Sequence, residues 1–191
     1  NGTVAGDLSL TYTLGTFGGG GGMSLDITSA QIGAVTINEA SGTSGMRIRD
    51  ITIASGAGAF SFGTTSSSFM TLGSSTVLSH TFTNNSANAA TLGNSMTFGF
   101  GGSGAHTLAL AGTGNWNFGT KLGTGGGSLS VLSKTGLGNL TFTGTTGGTG
   151  QSNIGIFNAG AGRTSIASTN AIVDGPILAA ALIIRAGVQA A

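Results

Sequence analysis

Charge is what this chain has least of. Only 6% of its 191 residues are Asp, Glu, Lys or Arg, where an ordinary soluble domain has roughly a quarter. The net charge of +1 leaves no basic footprint for nucleic acid, and so little charge scarcely opposes contact between copies. Cysteine is absent, which excludes a disulfide framework and thiol chemistry and is compatible with export by a bacterium. The longest apolar run, Ile177 to Ile184, is far short of the roughly 20 residues a membrane helix needs, so no membrane span is expected. The residues from Asn1-Gly2-Thr3 onward do not read as a signal peptide, as expected of a mature or excised segment and equally of a cytoplasmic protein.

What is present is glycine, 38 residues of it, with hydrophobic residues at 39%. Glycine and serine favour flexible chain, but a disordered segment is rich in charge and poor in β-branched residues, the opposite of this balance. Alternating segments run throughout: Leu8 to Leu14, Ser24 to Ile27, Ala34 to Ile37 and Met46 to Ile53, then Thr81-Phe82-Thr83, Met96 to Phe100, Leu108-Ala109-Leu110, Trp116-Asn117-Phe118, Leu129 to Leu132 and Leu140-Thr141-Phe142. A period of two is that of a half-buried strand. Turns rich in Gly and Asn follow each one, and their strand centres fall about every ten residues, so two strands make a coil of about 20 residues. Stacked coils satisfy each strand's backbone groups through the coils above and below, and glycine supplies the positive φ of the corners. The sequence predicts an all-β parallel β-helix, a single elongated domain over 1–191. N-terminal strands occupy 1–53, glycine-rich coils 54–159 and an apolar segment 160–191. In that last segment Pro176 followed by Ala and Leu suits a short helix, whereas Leu182-Ile183-Ile184 suits a strand; either would serve as a cap or assembly element.

Candidate chemistry is sparse. The acidic residues are Asp7, Asp26, Glu39, Asp50 and Asp174; Asp26 and Glu39 would have to meet on successive coils to form the paired carboxylates of a polysaccharide-active enzyme, and turn carboxylates explain them more simply. His80 and His106 are the only imidazoles, and with no cysteine or carboxylate-rich segment beside them they build no metal site. Each is expected on the solvent face of its strand. Gly99-Phe100-Gly101-Gly102-Ser103-Gly104 matches the dinucleotide fingerprint, but no βαβ context surrounds it. No aspartate stands in a glycine-rich turn as a calcium solenoid requires. The sequons at Asn1, Asn84 and Asn139 are accounted for by composition. Thr-x-Thr at 11–13, 81–83 and 141–143 resembles the ranks of ice-binding helices, but the pairs are too far apart in sequence for a ladder on consecutive coils. Trp116 and Tyr12 are the aromatics that an adhesin would expose to glycan. No catalytic, cofactor-binding or metal-binding residue is assigned, and no cofactor.

Leu132-Ser133-Lys134-Thr135-Gly136-Leu137-Gly138-Asn139-Leu140-Thr141-Phe142-Thr143-Gly144 resembles the autotransporter-associated β-strand repeat, Leu-x-Lys-x-Gly-x-Gly-x-Leu-x-Leu-x-Gly. His80 to Ser86 is similar to strands that precede it. The likeness spans about residues 54–167 and departs at Thr145 to Gly150, where the family's following tyrosine is missing. It implies a right-handed parallel β-helix in the passenger of a large secreted or surface-displayed bacterial protein, and carries over no catalytic residue. The expectation is an extracellular, non-enzymatic solenoid that self-associates head to tail into a fibre or filament. An adhesin binding glycan or a host surface through its lateral face is the alternative.

Overall fold

The computed structural model describes residues 4–12, 22–39, 46–64, 68–93, 96–102, 104–119, 121–122, 128–143, 154–166 and 181–184. Among them every element is a strand and every strand pairing is parallel. The chain is a parallel β-solenoid. One sheet stacks β1 (Leu8–Tyr12), β3 (Val35–Glu39), β5 (Phe60–Phe62), β8 (Ala90–Leu92), β11 (Trp116–Phe118), β14 (Leu140–Phe142) and β16 (Thr164–Ile166). The other contains β2 (Met23–Ile27), β4 (Met46–Ile53), β6 (Ser68–Leu72), β7 (Ser79–Asn84), β9 (Met96–Phe100), β10 (Ala105–Ala111), β12 (Lys121–Leu122), β13 (Ser128–Lys134), β15 (Ile154–Ala159) and β17 (Ala181–Ile184).

That second sheet is two stacks joined by one bent strand. Residues 46–48 of β4 pair with β6, while residues 51–53 pair with β7. A coil therefore has three strands, as in β5–β6–β7 and β8–β9–β10, rather than the two expected. Leu8, Val35, Phe60, Ala90, Trp116, Leu140 and Thr164 stand side by side in the first sheet, so successive coils span 24 to 30 residues and not 20. Strands as short as Lys121–Leu122 hide the third side from a reading based on periodicity.

Alternation sets which residues enter the core. In the first stack Val35, Phe60, Ala90, Trp116 and Leu140 form one inward column, and Ile37, Phe62, Leu92, Phe118 and Phe142 the next; all are 4% exposed or less. Ala90 leaves room for the large rings on either side of it in its column, Phe60 and Trp116. Trp116 packs on Phe82 from the third stack at 5.7 Å and on Phe118 at 6.2 Å, so aromatic contacts tie two faces together.

A glycine precedes this stack by two residues in nearly every coil: Gly6, Gly33, Gly58, Gly114, Gly138 and Gly162, with Asn88 in the remaining place. The expected reason was positive φ, and Gly162 has it at +69°. For Gly58 and Gly138 the reason is proximity. A Cβ on Gly138 would lie 1.9 Å from the Gly114 carbonyl oxygen, and one on Gly58 would lie 2.1 Å from that of Gly33. The coils can stack here only because no side chain intervenes.

The C-terminal alternative resolves to a strand over Ala181–Ile184, paired with Ile156 to Ala159; the rest of 176–191 lies outside the described residues. Among those described, no helix is long and apolar enough to cross a membrane.

Candidate functional surface and buried polar centres

The carboxylates do not converge. Asp26 stands beside Thr52 in the third stack, and Glu39 beside Tyr12 in the first, so the two belong to different faces. Asp7 Oδ1 accepts the Ala34 N–H at 2.8 Å. Asp50 accepts the Thr81 N–H at 2.9 Å and pairs with Arg49 at 2.8 Å. Both carboxylates are engaged in holding backbone, and Asp174 lies outside the described residues. Among those described, no group of three or more His, Cys, Asp or Glu could hold a metal ion. Gly99 lies on β9, and after Gly104 the chain enters strand β10 rather than a helix, so the fingerprint-like string has no phosphate-binding context. Trp116, which an adhesin would have to expose to glycan, is 0% exposed and belongs to the core, and the Tyr12 side chain lies outside the described residues.

The outward face of the first stack is more regular than its sequence suggests. Ser9, Thr36, Ser61, Thr91, Asn117, Thr141 and Ser165 occupy one register position on consecutive coils. Thr36 and Ser61 hydroxyls lie 3.0 Å apart, within hydrogen-bond distance. The Thr-x-Thr pairs themselves do not make this ladder. The rank uses the middle residue of each apolar–polar–apolar triplet and not the widely spaced Thr-x-Thr pairs. Its signal in the sequence is Gly-x-apolar-(Ser/Thr/Asn)-apolar, as in Gly33 to Ile37, Gly58 to Phe62, Gly114 to Phe118 and Gly138 to Phe142.

Inside the coil lie polar side chains that the sequence reading passed over. At the corner leading from the third stack to the first, Asn84 is 0% exposed. Its Nδ2 donates to the carbonyls of Asn88 at 3.0 Å and Asn115 at 2.9 Å, and its Oδ1 accepts the Ser86 N–H at 2.9 Å. Asn88 Nδ2 and the Ser86 hydroxyl both donate to the Ala57 carbonyl. Two coils later Lys134 fills the same corner, buried, with Nζ donating to the carbonyls of Gly136 and Ala161. Burial pushes its amine below the usual lysine range, because desolvation disfavours the ammonium.

At the corner between the second and third stacks lie both histidines. They were expected in solvent; His80 is 2% exposed and His106 is 0% exposed. Each shares the inward parity of its strand, His80 with Phe82 and Asn84, His106 with Leu108 and Leu110. The rings lie nearly parallel, with centroids 5.3 Å apart and planes 15° apart, and His80 Nε2 lies 3.0 Å from His106 Nδ1, within hydrogen-bond distance. The outer nitrogens meet carbonyls: His80 Nδ1 that of Arg49 at 3.0 Å, His106 Nε2 that of Gly101 at 3.0 Å. Arg49 is the extra residue of a β-bulge, since Met23 faces Ile48 and Ser24 faces Asp50. Gly73 leaves room for the His80 ring, because a Cβ there would lie 2.5 Å from Cε1. Burial pushes both imidazoles below the ordinary histidine value; for His80 the Arg49 carbonyl opposes this, His106 adds to it and Asp50 opposes it, and for His106 the Gly101 carbonyl opposes it.

No protein-family model, curated protein or solved structure matches the chain.

Proposed function

We propose that the chain is a non-enzymatic structural segment of a secreted or surface-displayed bacterial protein, a solenoid rod that lengthens by stacking further coils on its ends and so self-associates into a fibre or filament. The observation that carries this reading is Leu8. It belongs to the inward column of the first stack, where Val35 to Leu140 are 4% exposed or less, yet Leu8 is 41% exposed and nearby Val4 51%. Among the described residues β1 has a strand neighbour on one side only. An uncovered core column beside an open parallel edge is a template for another coil, and a chain with 6% charged residues does little to repel one. The resemblance of residues 132–144 to passenger repeats supports the extracellular setting.

Sedimentation and electron microscopy across a concentration series test this. Assemblies with an axial spacing of about 4.8 Å per layer are expected, and Leu8→Lys should shift them to monomer with an unchanged circular dichroism spectrum. A monomer at every concentration would overturn self-association.

The rank of Ser, Thr and Asn on the first stack favours one further reading, an adhesin whose lateral face binds neutral glycan. Uncharged hydroxyls repeating once per coil suit a polymer with many hydroxyls more than an anionic ligand. Thr91→Lys together with Thr141→Lys should abolish retention on immobilised polysaccharide while leaving the melting temperature unchanged; retention equal to wild type would remove this reading.

A further inference from the structure

The proton count of the His80–His106 pair does not close with two neutral rings. A carbonyl oxygen only accepts, so the contact with Arg49 requires a proton on His80 Nδ1 and the contact with Gly101 requires one on His106 Nε2. If each ring carried that one proton, His80 Nε2 and His106 Nδ1 would face each other at 3.0 Å with two lone pairs. A third proton between them completes all three contacts, leaving one imidazole and one imidazolium. A fourth would set N–H against N–H and place two positive charges in the coil interior.

We propose that His80 and His106 form a proton-binding pair that holds one shared proton while the coil is intact, and that a second added proton opens the corner between the second and third stacks. The pair joins three coils: it reaches the bulge of β4, sits on β7 and β10, and closes on the Gly101 turn after β9. Two imidazoles whose outer nitrogens are engaged by carbonyls offer only two donors, fewer than the three or four that zinc takes from protein, so the proton is the fitting ligand.

The surroundings add little compensating charge. From β4 come Arg47, Arg49 and Asp50; the Arg49 side chain is half exposed, and Asp50 is engaged by Arg49 and the Thr81 N–H. From β6 the inward residues are Met70 and Leu72, and from β9 the Phe100 ring stands 5.1 Å from His106. Gly73 to Leu78 and the described residues of the Gly101 turn contain no titratable side chain. β13 presents Leu129 beside His106, with Ser130 donating to the His106 carbonyl at 2.9 Å. Lys134 stands farther along β13, opposite Leu110. Among the described residues, no carboxylate other than Asp50 is at hand to neutralise a doubly charged pair.

The sign follows from counting protons. An unfolded chain takes up two as the pH falls through the ordinary histidine value of 6.5. The intact pair keeps one, already held above that pH by the 3.0 Å contact between the rings, whereas burial opposes the second. The unfolded state therefore binds more protons below that pH, and the unfolding equilibrium constant rises about tenfold per pH unit on account of the second proton. Above 6.5 the folded pair holds one proton that the unfolded rings have released, so its stabilisation grows as the pH falls towards that value, and the second proton reverses this below it; the pair's contribution peaks near 6.5.

The test uses the whole chain labelled with 15N in histidine. Ring nitrogen spectra followed from about pH 8 to about pH 4 should show three ring N–H protons on the pair in the folded state, one of them shared, and no fourth until the fold is lost. Urea unfolding over the same range should be steeper in pH for wild type than for His80→Gln/His106→Gln, by that tenfold per unit. Two rings titrating independently near 6.5 in an intact fold would overturn the proposal, as would a pair holding only two ring protons throughout. Equal pH dependence in the double variant and wild type would also overturn it. If the double variant does not fold, the ring spectra of wild type decide alone.

Discussion

The corner between the third stack and the first is built in two ways. In the earlier coils it is wide: Ile51 to Phe60 spans nine steps along the chain and Phe82 to Ala90 eight. In the later coils Leu110 to Trp116 and Lys134 to Leu140 each span six. The wide corners are closed by amide and hydroxyl side chains. Gln31 Nε2 donates to the carbonyls of Gly6 at 3.1 Å and Gly33 at 3.0 Å, and Asn84, Ser86 and Asn88 do the same work a few coils on. Glycine lets the backbones touch at both kinds of corner: a Cβ on Gly136 would lie 2.1 Å from the Gly112 carbonyl oxygen, and at a wide corner one on Gly58 would lie 2.1 Å from that of Gly33. A buried carbonyl needs a donor in either case. Neighbouring coils pair through backbone at both, as in the Gly58 N–H to the Gln31 carbonyl at 2.9 Å and the Gly136 N–H to the Leu110 carbonyl at 3.2 Å; the longer loops add amide and hydroxyl donors to these, where the narrow corner after β13 adds the Lys134 amine.

If this contrast is right, the largest effect comes from removing the amide that closes a wide corner. Asn84→Ala would leave the carbonyls of Asn88 and Asn115 and the Ser86 N–H without their side-chain partner. Leaving buried polar groups unpaired costs on the order of 1–3 kcal/mol for each group that water cannot reach. We expect a loss of about 3 kcal/mol in urea unfolding, because relaxation of the loop recovers part of the sum. Asn84→Asp, which keeps Oδ1 for Ser86 but has no amide donor and buries a charge, should be no better. A loss under about 0.5 kcal/mol, the range of an ordinary surface change, would mean that the amide does not hold the wide corner together.

Much of this architecture is legible along the chain. Strand alternation identifies the inward residues, and it already places His80 with Phe82 and Lys134 with Leu132. The histidines were misassigned because polar character was weighed above parity. A buried imidazole or amine is admissible once a carbonyl stands opposite it, and the carbonyl of Arg49 comes from a strand bulge and those of Gly101, Gly136 and Ala161 from turns, whose paths no periodicity reveals. The third side of the coil was missed for a related reason. β12 has only two residues, and β4 runs round its corner with no turn residue to mark it. The glycine two residues before each apolar triplet is a readable repeat, and its reading as a source of positive φ confuses two uses of glycine. Only the stacked geometry separates close approach from a left-handed backbone. The hydroxyl rank needs register as well, since its members stand 24 to 30 residues apart.

The smaller effect lies in the glycines two residues before the first stack, where one substitution at two levels of the same column separates contact from backbone freedom. Gly138→Ala places a methyl 1.9 Å from the Gly114 carbonyl oxygen, whereas Gly6→Ala meets nothing within 4 Å. Neither glycine has a positive φ, so backbone strain is the same non-issue at both and close packing is the only variable. Forcing a methyl into a closed contact typically costs about 1–3 kcal/mol, and we expect about 2 kcal/mol for Gly138→Ala against less than about 0.5 kcal/mol for Gly6→Ala. Urea unfolding of the two variants beside wild type measures both. Equal losses would show that glycine acts there through the entropy of the unfolded chain rather than through contact between coils, and the distinction between the two kinds of corner would then rest on the side-chain amides alone. The ordering expected from contact is stricter, because it requires the cost to appear only where a neighbouring carbonyl stands above the glycine.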